Sequence, residues 1–496
     1  MTPLRPARLA SINRGAEQPR VAGGIHRLPL TLLLLAGTAL VSAETAHAQA
    51  ARGGDLPNPL LTFSFSSSLH VSDNYDLSQD PAGTTTYVDN TLGLSYLSET
   101  DVQKLSLAAS GVLRLADYPS DATNSGYQTD FDNQTLRFGY TLTGADSELT
   151  SSAYYNRSDI AFFDPFRLVQ ENIDLEAQDL TSSDGYREMI RADVGFQTGM
   201  SGPLSFHAEL SAYKRNFLET TDPTFEDNEA YTATTGFGFL ITPTTRLTLD
   251  GLYRDYSADD AEQTDRRTRS LSAGASHEVG TGLTLNGSIG YQEIETEETD
   301  LLGYRGTKHS TGVIGSLGAM QELTNGTVGI NFNQSRNTTG SRSTLQVSRA
   351  MELPSGSLAL SLGASRGETG KTSAIGSISY DHALESGTLS ARVSQSVKTN
   401  SDDNEVETRD IRLRLTHELS PVSEVALSVS YADLNNLENS GGDRTRSQFR
   451  ASYSHDLTQD WELSGGYEYT QLERPSGTAK ENAVFLTIQR QFHFRP

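Results

Sequence analysis

Residues 483–494 read Ala483-Val484-Phe485-Leu486-Thr487-Ile488-Gln489-Arg490-Gln491-Phe492-His493-Phe494. Val484, Leu486, Ile488, Phe492 and Phe494 fall on one side of an extended chain, and Thr487, Gln489, Gln491 and His493 on the other. Successive side chains of a strand point to opposite faces, so this is one long strand with a single apolar face.

The same reading extends back to Leu61. Leu61, Phe63, Phe65, Leu69 and Val71 alternate with serines and a histidine. Leu136, Phe138, Tyr140 and Leu142 repeat the pattern, as do Leu283, Leu285, Ile289 and Tyr291, and then Leu427, Val429 and Tyr431. The opposite faces carry Ser, Thr, Gly, Asn, Gln, Glu and Arg. Strands of a soluble sandwich usually run ~5–6 residues. These segments run about twice that, which matches strands that cross a bilayer.

Composition does not oppose a membrane location. Only 35% of residues are apolar, and the mean hydropathy is -0.45. A membrane helix needs about 20 consecutive apolar residues, and nothing beyond residue 50 approaches that. A barrel strand needs only every second residue apolar, so a whole barrel reads as polar. The net charge of -24 argues against nucleic-acid binding, which needs basic patches. The sequence has no cysteine, which excludes disulfides, thiolate metal sites and a Cys nucleophile.

The N-terminus reads as an export signal over residues 1–48. Arg5, Arg8, Arg14, Arg20 and Arg27 form a positive region, and residues 28–42 are a Leu-rich apolar run. Ala46-His47-Ala48 then fits a small-x-small cleavage site, with Ala48-Gln49-Ala50 the alternative. Residues 49–59 form a short N-terminal periplasmic extension, and residues 60–496 the barrel.

Connections alternate in length. One set is short: 98–101, 144–147, 242–245, 280–282, 325–326, 355–356, 386–387 and 458–460. Asn325-Gly326 carries the strongest two-residue hairpin signal, with positive φ expected at both positions. The other set is longer and acidic: 72–84, 116–130, 216–228, 257–265, 293–303 and 401–407. Outer-membrane barrels have short periplasmic turns and longer external loops, so this asymmetry sets the orientation. The fold class is therefore all-β, a transmembrane up-and-down antiparallel β-barrel of about 22 strands, within a range of about 16–24. Closure requires the first and last strands to pair. Leu61, Phe63 and Phe65 are expected beside Val484, Leu486 and Ile488.

A loose repeat recurs where descending strands meet short turns: Ser276-His277-Glu278-Val279, Asp381-His382-Ala383-Leu384, Thr416-His417-Glu418-Leu419 and Ser454-His455-Asp456-Leu457 are four of its copies. Each copy is one hairpin of an up-and-down barrel.

With these features in view, the chain resembles the outer-membrane β-barrel porin families, and in particular the uncharacterised barrels associated with exopolysaccharide and exosortase systems. Leu69-His70-Val71-Ser72-Asp73-Asn74-Tyr75-Asp76-Leu77, followed by Leu92-Gly93-Leu94-Ser95-Tyr96-Leu97-Ser98-Glu99-Thr100, looks like their first hairpin. The closing Phe492-His493-Phe494 fits the same family, although Arg495-Pro496 departs from an ending on the aromatic itself. The resemblance implies a Gram-negative outer-membrane location. The partners it implies are outer-membrane lipid and lipopolysaccharide, the barrel-assembly machinery and polysaccharide-export components. It carries over no catalytic residue and no cofactor.

The side chains that invite a chemical role read mostly as architecture. His277, His382, His417 and His455 fall on the outward face just before periplasmic turns, and Trp461 begins the strand after one. Rings with a polar tip suit the headgroup zone, so these five read as a periplasmic girdle. They lie on different hairpins and cannot converge on a metal ion. No Ser or Asp can be tied to the inward His207 or His493. No catalytic residue is assigned, and the chain reads as a non-enzyme. Ala258-Asp259-Asp260-Ala261-Glu262 is the densest short acidic loop, but its carboxylates are adjacent rather than alternating. It reads as a solvated loop, with weak divalent bridging to lipopolysaccharide phosphates.

Residues 156–185 form the longest connection, between strands five and six. They contain Phe162-Phe163-Asp164-Pro165-Phe166-Arg167, then Glu171, Asp174, Glu176 and Asp179. Loops of this length are usually functional or disordered. By analogy with general porins, Asp164, Arg167, Glu171, Asp174, Glu176 and Asp179 would form a constriction loop. A loop lying over the mouth is the alternative. Inward lumen charges are expected at Arg187, Arg191, Arg215, Arg412, Arg414, Glu209 and Asp250. The functional reading is a porin-like channel or export conduit, linked to polysaccharide export. The first rival is a non-conducting structural or adhesive surface barrel. A transporter plugged by its own N-terminal domain is disfavoured, because residues 49–59 fall far short of a folding domain of about 50 residues.

Overall fold

The computed structural model describes residues 59–120, 125–170, 177–300, 302–368, 370–399, 405–437 and 443–494. The expected export signal and nearly all of the expected extension after it lie outside the described residues, as do Glu171, Asp174, Glu176, Arg495 and Pro496.

The strands are β1 (Leu60–Ser72), β2 (Thr85–Glu99), β3 (Gln103–Tyr118), β4 (Gly126–Thr143), β5 (Ser147–Asp159), β6 (Tyr186–Thr198), β7 (Leu204–Leu218), β8 (Asn228–Thr242), β9 (Thr245–Ala258), β10 (Asp265–Val279) and β11 (Leu283–Thr299). They continue with β12 (Arg305–Leu323), β13 (Gly326–Asn337), β14 (Gly340–Leu353), β15 (Gly356–Arg366), β16 (Thr372–Leu384), β17 (Gly387–Thr399), β18 (Glu405–Ser420), β19 (Ser423–Asn436), β20 (Arg444–Asp456), β21 (Trp461–Arg474) and β22 (Gly477–Phe494). Each pairs antiparallel with its neighbours in sequence, and β1 pairs with β22, so the 22-stranded sheet closes on itself. Every backbone ladder is thereby satisfied without water, the condition hydrocarbon imposes.

Two faces follow from the alternation. Leu362 is 73% exposed, and Leu317 and Ile289 are each 66% exposed, so the outer face is apolar. Side chains of that size are stable there only against lipid. The inner face carries Ser, Thr, Gly and most of the intramembrane charge.

The seam differs from the expected pairing. Leu61 lies opposite Phe494, Phe63 opposite Phe492 and Phe65 opposite Arg490. Val484 and Leu486 instead face Val71 and Leu69, and Ile488 faces Ser67. The two strands are antiparallel, and the start of β1 and the end of β22 both lie at the short-turn side. The first residues of β1 therefore meet the last residues of β22.

Turns differ in two respects. Asn325 does not take positive φ. Gly326 does, at 128°, as the first residue of β13. A Cβ there would lie 2.2 Å from the Ala350 carbonyl oxygen, so the glycine is required by close backbone approach. On the external side, connections 338–339 and 475–476 are only two residues long, and several strands run into segments that read as loops. β3 continues to Tyr118 and β11 to Thr299. Beyond the apolar band both faces of these strands are polar, so the hydrophobic period vanishes while the hydrogen-bond ladder continues.

Candidate functional site: a segment folded into the barrel

A barrel of this width cannot be filled by wall side chains alone. Residues 160–170 and 177–185 pack against its inner wall. The segment forms one helical turn, α1 (Phe166–Gln170), and a 3-10 turn (Ala177–Leu180). Phe166, Leu168 and Leu180 are buried with Met189 of β6, Val406 of β18, and Ala432 and Leu434 of β19. Tyr154 of β5 and Tyr213 of β7 pack on the same cluster. β7 and β18 are eleven strands apart in a ring of 22, so they are diametrically opposed. The segment therefore spans the lumen as a strap.

Polar contacts fix both ends. The Asp179 carboxylate lies 3.3 Å from Arg215 and 3.6 Å from Arg187. All three side chains are buried. Arg444 Nε of β20 donates to Thr181 Oγ1 at 3.3 Å. Arg167 Nη1 donates to Asn133 Oδ1 of β4 at 3.3 Å. Asp164 lies near enough to the buried Arg446 to interact with it electrostatically. At the exit of the strap, Thr221 donates through its backbone N–H (3.2 Å) and its hydroxyl (3.1 Å) to Asp184. Partial burial opposes ionisation of Asp184, but the bonds from Thr221 and Ser183 hold its carboxyl below the ordinary carboxylate range.

An aromatic and cationic box holds the near edge. The Arg114 guanidinium sits 3.5 Å from the Phe162 ring centroid and 5.5 Å from that of Tyr87. Its Nε and Nη1 donate to Asp89 and Asp132, each at 2.8 Å. Tyr75, from the β1–β2 connection, stacks on Phe162 at 5.0 Å and meets Tyr118 at 5.2 Å. Burial pushes the Tyr75 hydroxyl above its ordinary value, and Tyr118 adds to the shift. The same connection tucks Leu77 against Leu472 and Ala479 on the inner wall.

The expected site residues divide accordingly. Asp164, Arg167 and Asp179 lie in the strap and contact the wall. Arg187 and Arg215 are inward but covered by the strap rather than lining open water, each 2% exposed. Arg191 is inward beside Asp193 at 3.1 Å. Glu209 and Asp250 are inward on β7 and β9, with His207 3.6 Å from Asp250. Arg412 and Arg414 are inward on β18, across the ring from β7. His277, His382, His417, His455 and Trp461 occupy outward positions next to short turns. His277 Nδ1 is 2.8 Å from Thr245 Oγ1, His455 Nδ1 is 2.8 Å from Ser423 Oγ, and the Arg490 guanidinium is 5.2 Å from the Trp461 ring. Asp260 accepts from Thr264 at 2.7 Å within its own turn. The Arg114 box and Arg446 were not singled out from sequence. Arg114 and Asp89 do fall on the polar face of their strands, but nothing local marks their partner as Phe162, far along the chain.

No protein-family model matches the chain, and no curated protein matches it in sequence. Solved structures do match. The open form of the ferric-catecholate import receptor Fiu from E. coli K12 superposes with a TM-score of 0.54 at 11% identity, covering 88% of this chain and 82% of that one. The FrpB iron transporter from Neisseria meningitidis gives 0.54 at 11% identity, covering 90% and 83%. A mutant of the ferric enterobactin receptor PfeA from Pseudomonas aeruginosa, in complex with enterobactin, gives 0.52 at 9% identity, covering 89% and 82%. At these identities the likeness is one of fold. Together with the closed ladder and the apolar outer face, it identifies the chain as a 22-stranded β-barrel of the outer membrane.

Proposed function

We propose that the protein is a porin-like channel or export conduit whose bore is narrowed by the strap residues 160–170 and 177–185. The observation that carries this reading is the anchoring of the strap on opposed walls. Phe166, Leu168 and Leu180 pack on β6 and on β18–β19 in one cluster, and Asp179 is tied to Arg187 and Arg215. A fixed chord across a wide polar lumen leaves a restricted passage beside it. The link to polysaccharide export that the family resemblance implies belongs to the same proposal, as do lipopolysaccharide and the assembly machinery as partners. In this reading the outward histidines and Trp461 sit at the inner headgroup level.

One observation favours the rival, a surface barrel that conducts nothing. The β1–β2 connection also folds inward, with Leu77 and Tyr75 sealing the side next to the seam. Planar-bilayer recording separates the two. Deleting residues 165–184 raises single-channel conductance and changes ion selectivity if the strap forms the constriction. Unchanged conductance rules out the constriction, and silence in both forms favours the rival.

A further inference from the structure

The ladder that closes the barrel does not run to the external end everywhere. β12 starts at Arg305 and β13 ends at Asn337, yet their outermost pair is Gly315 with Gln334. β16 starts at Thr372 and β17 ends at Thr399, yet their outermost pair is Gly376 with Gln395. Beyond these two points, among the described residues, the wall is slit.

The same sequence lies behind both slits. Gly315-Ser316 and Gly376-Ser377 each stand eleven residues before the turn glycine, Gly326 or Gly387. Gln334-Ser335 and Gln395-Ser396 each stand eight residues after it. Both serines bond to the strand before, Ser316 to Ser288 at 2.8 Å and Ser377 to Ser361 at 2.7 Å. A Cβ on Gly315 would lie 2.6 Å from the Ser288 carbonyl oxygen, and one on Gly376 2.5 Å from that of Ser361. Glycine in a strand permits such close backbone approach. Each strand is drawn to its predecessor at the level where its successor parts from it.

The parted hairpin ends turn inward. Leu317 and Phe332 mark the lipid face of β12 and β13, and Leu389 and Leu415 that of β17 and β18. By alternation Arg336, Thr399 and Glu405 fall on this outer side, and Ser310, Asn337, Arg342 and Ser365 on the inner side. Yet Arg336 Nε donates to Ser310 Oγ at 2.9 Å, Asn337 Nδ2 donates to Thr399 Oγ1, and Arg342 pairs with Glu405. The outer side of each hairpin end therefore rests on the inner side of the strands before it. The β18–β19 end is buried on both sides, at Glu405 and Asp433 on one and at Val406, Ala432 and Leu434 on the other. Lys371, in the β15–β16 connection, donates to the Leu437 carbonyl oxygen just beyond β19.

We propose that the external end of the barrel is an overlapping iris. The ends of β13–β14 and β17–β18 move about the two Gly–Gln points, and the buried Arg342–Glu405 pair, with Asn337–Thr399, latches them closed. No described ladder crosses either slit, so opening breaks side-chain contacts alone, including the cluster that Val406 and Leu434 share with the strap. The ladder below stays whole. The consequence, a mouth of variable width, rests on the channel reading above; the movement does not.

The absence of cysteine lets the movement be followed apart from conduction. Ser365→Cys places a thiol under the overlap, where Ser365 is 3% exposed and accepts from Arg342 Nη1 at 2.9 Å. Thr470→Cys on β21, 1% exposed, is the control outside it. Each is treated from the external side with a charged, membrane-impermeant methanethiosulfonate. Glu405→Gln or Arg342→Gln leaves one buried charge without its partner, and Ser365→Cys then reacts roughly 100-fold faster. Thr470→Cys is unchanged. In planar bilayers, Asn337→Cys and Thr399→Cys joined by a short bifunctional methanethiosulfonate lose the larger conductance states, and a reductant restores them. The cross-link keeps both latch charges, so it decides the matter even where a latch variant fails to assemble. An unaccelerated Ser365→Cys overturns the iris, as does equal acceleration at both positions. Conductance unchanged by the cross-link overturns control of the mouth. Acceleration confined to Ser365→Cys in a barrel that never conducts keeps the movement and removes the channel reading.

Discussion

Phe63 of the first strand and Phe492 of the last face each other across the seam that closes the barrel, with ring centroids 5.8 Å apart. Phe494 stacks on Phe492 in turn, at 6.5 Å. This contact joins chain positions 429 residues apart, at the end of the barrel where both outermost segments emerge. An aromatic pair contributes about 0.5–1.5 kcal/mol beyond its area burial. Phe63→Ala and Phe492→Ala are expected to lower barrel stability non-additively, with a coupling of that order in a double-mutant cycle read by urea unfolding in lipid vesicles. Strict additivity would show that the seam does not use this pair.

Charge on the lipid face should cost according to depth. Ile289 is 66% exposed on the outer face of β11 and lies toward the middle of its apolar band. Leu285 sits nearer the short turn, opposite His277. Ile289→Arg is expected to cost ~2–4 kcal/mol and Leu285→Arg only ~0–1, following the depth dependence of lipid-facing charge. Asn286→Arg points into the lumen and should be tolerated. Heat-modifiable migration on gels reports the assembled fraction. Equal losses in all three variants would contradict the assigned faces.

The barrel was legible because period-2 alternation is dictated by the bilayer, residue by residue. The count of about 22 strands and the orientation of the turns followed from it. What alternation could not supply is pairing at a distance. Val484 and Leu486 are visibly lipid-facing in the sequence, yet their partners Val71 and Leu69 depend on the direction in which the seam closes. The strap shows the same limit. Its length and its Phe162-Phe163-Asp164-Pro165-Phe166-Arg167 core mark it as unusual. Whether it turns inward depends on a pocket built by Met189, Val406, Ala432 and Leu434, from three separate strands. Each of those residues alone reads as an apolar intrusion on a polar face, a signal visible in sequence but without a stated partner. The buried state of Arg187 and Arg215 could not be read at all, because inward position alone does not distinguish a wet wall from a covered one.

The Asp184 tie sets a pH dependence. Its carboxyl is held below the ordinary value, so the contribution to strap docking is fully present above the unfolded value of 3.8 and is lost as pH falls through the lower folded value. The Asp184 tie itself is therefore expected to be unchanged between about pH 5 and 7 and to loosen only in stronger acid. Asp184→Asn should reproduce the loosened state at neutral pH, seen as increased open-channel noise. Loosening of the wild type already at pH 5 would place control in another group.

The strap's inner anchor makes the sharpest demand on energetics. Asp179 is 3% exposed and is shared by Arg187 and Arg215, each 2% exposed. Removing one partner of a buried charge set costs roughly 3–5 kcal/mol, because the remaining charges are left without compensation. Asp179→Ala should therefore detach the strap from β6 and β7 while the 22-stranded ladder stays intact. Leu180→Ala, in the apolar cluster beside it, should cost about 2–5 kcal/mol by cavity formation and weaken the same contact. Both variants are expected to migrate as assembled barrels, to become cleavable by external protease within the strap, and to pass larger currents than the wild type. Protease resistance in Asp179→Ala would mean that the apolar cluster with Val406 and Leu434 holds the strap without its ionic tie. Loss of the assembled barrel itself would mean that the strap is part of the fold's stability and not a separable insert in its bore.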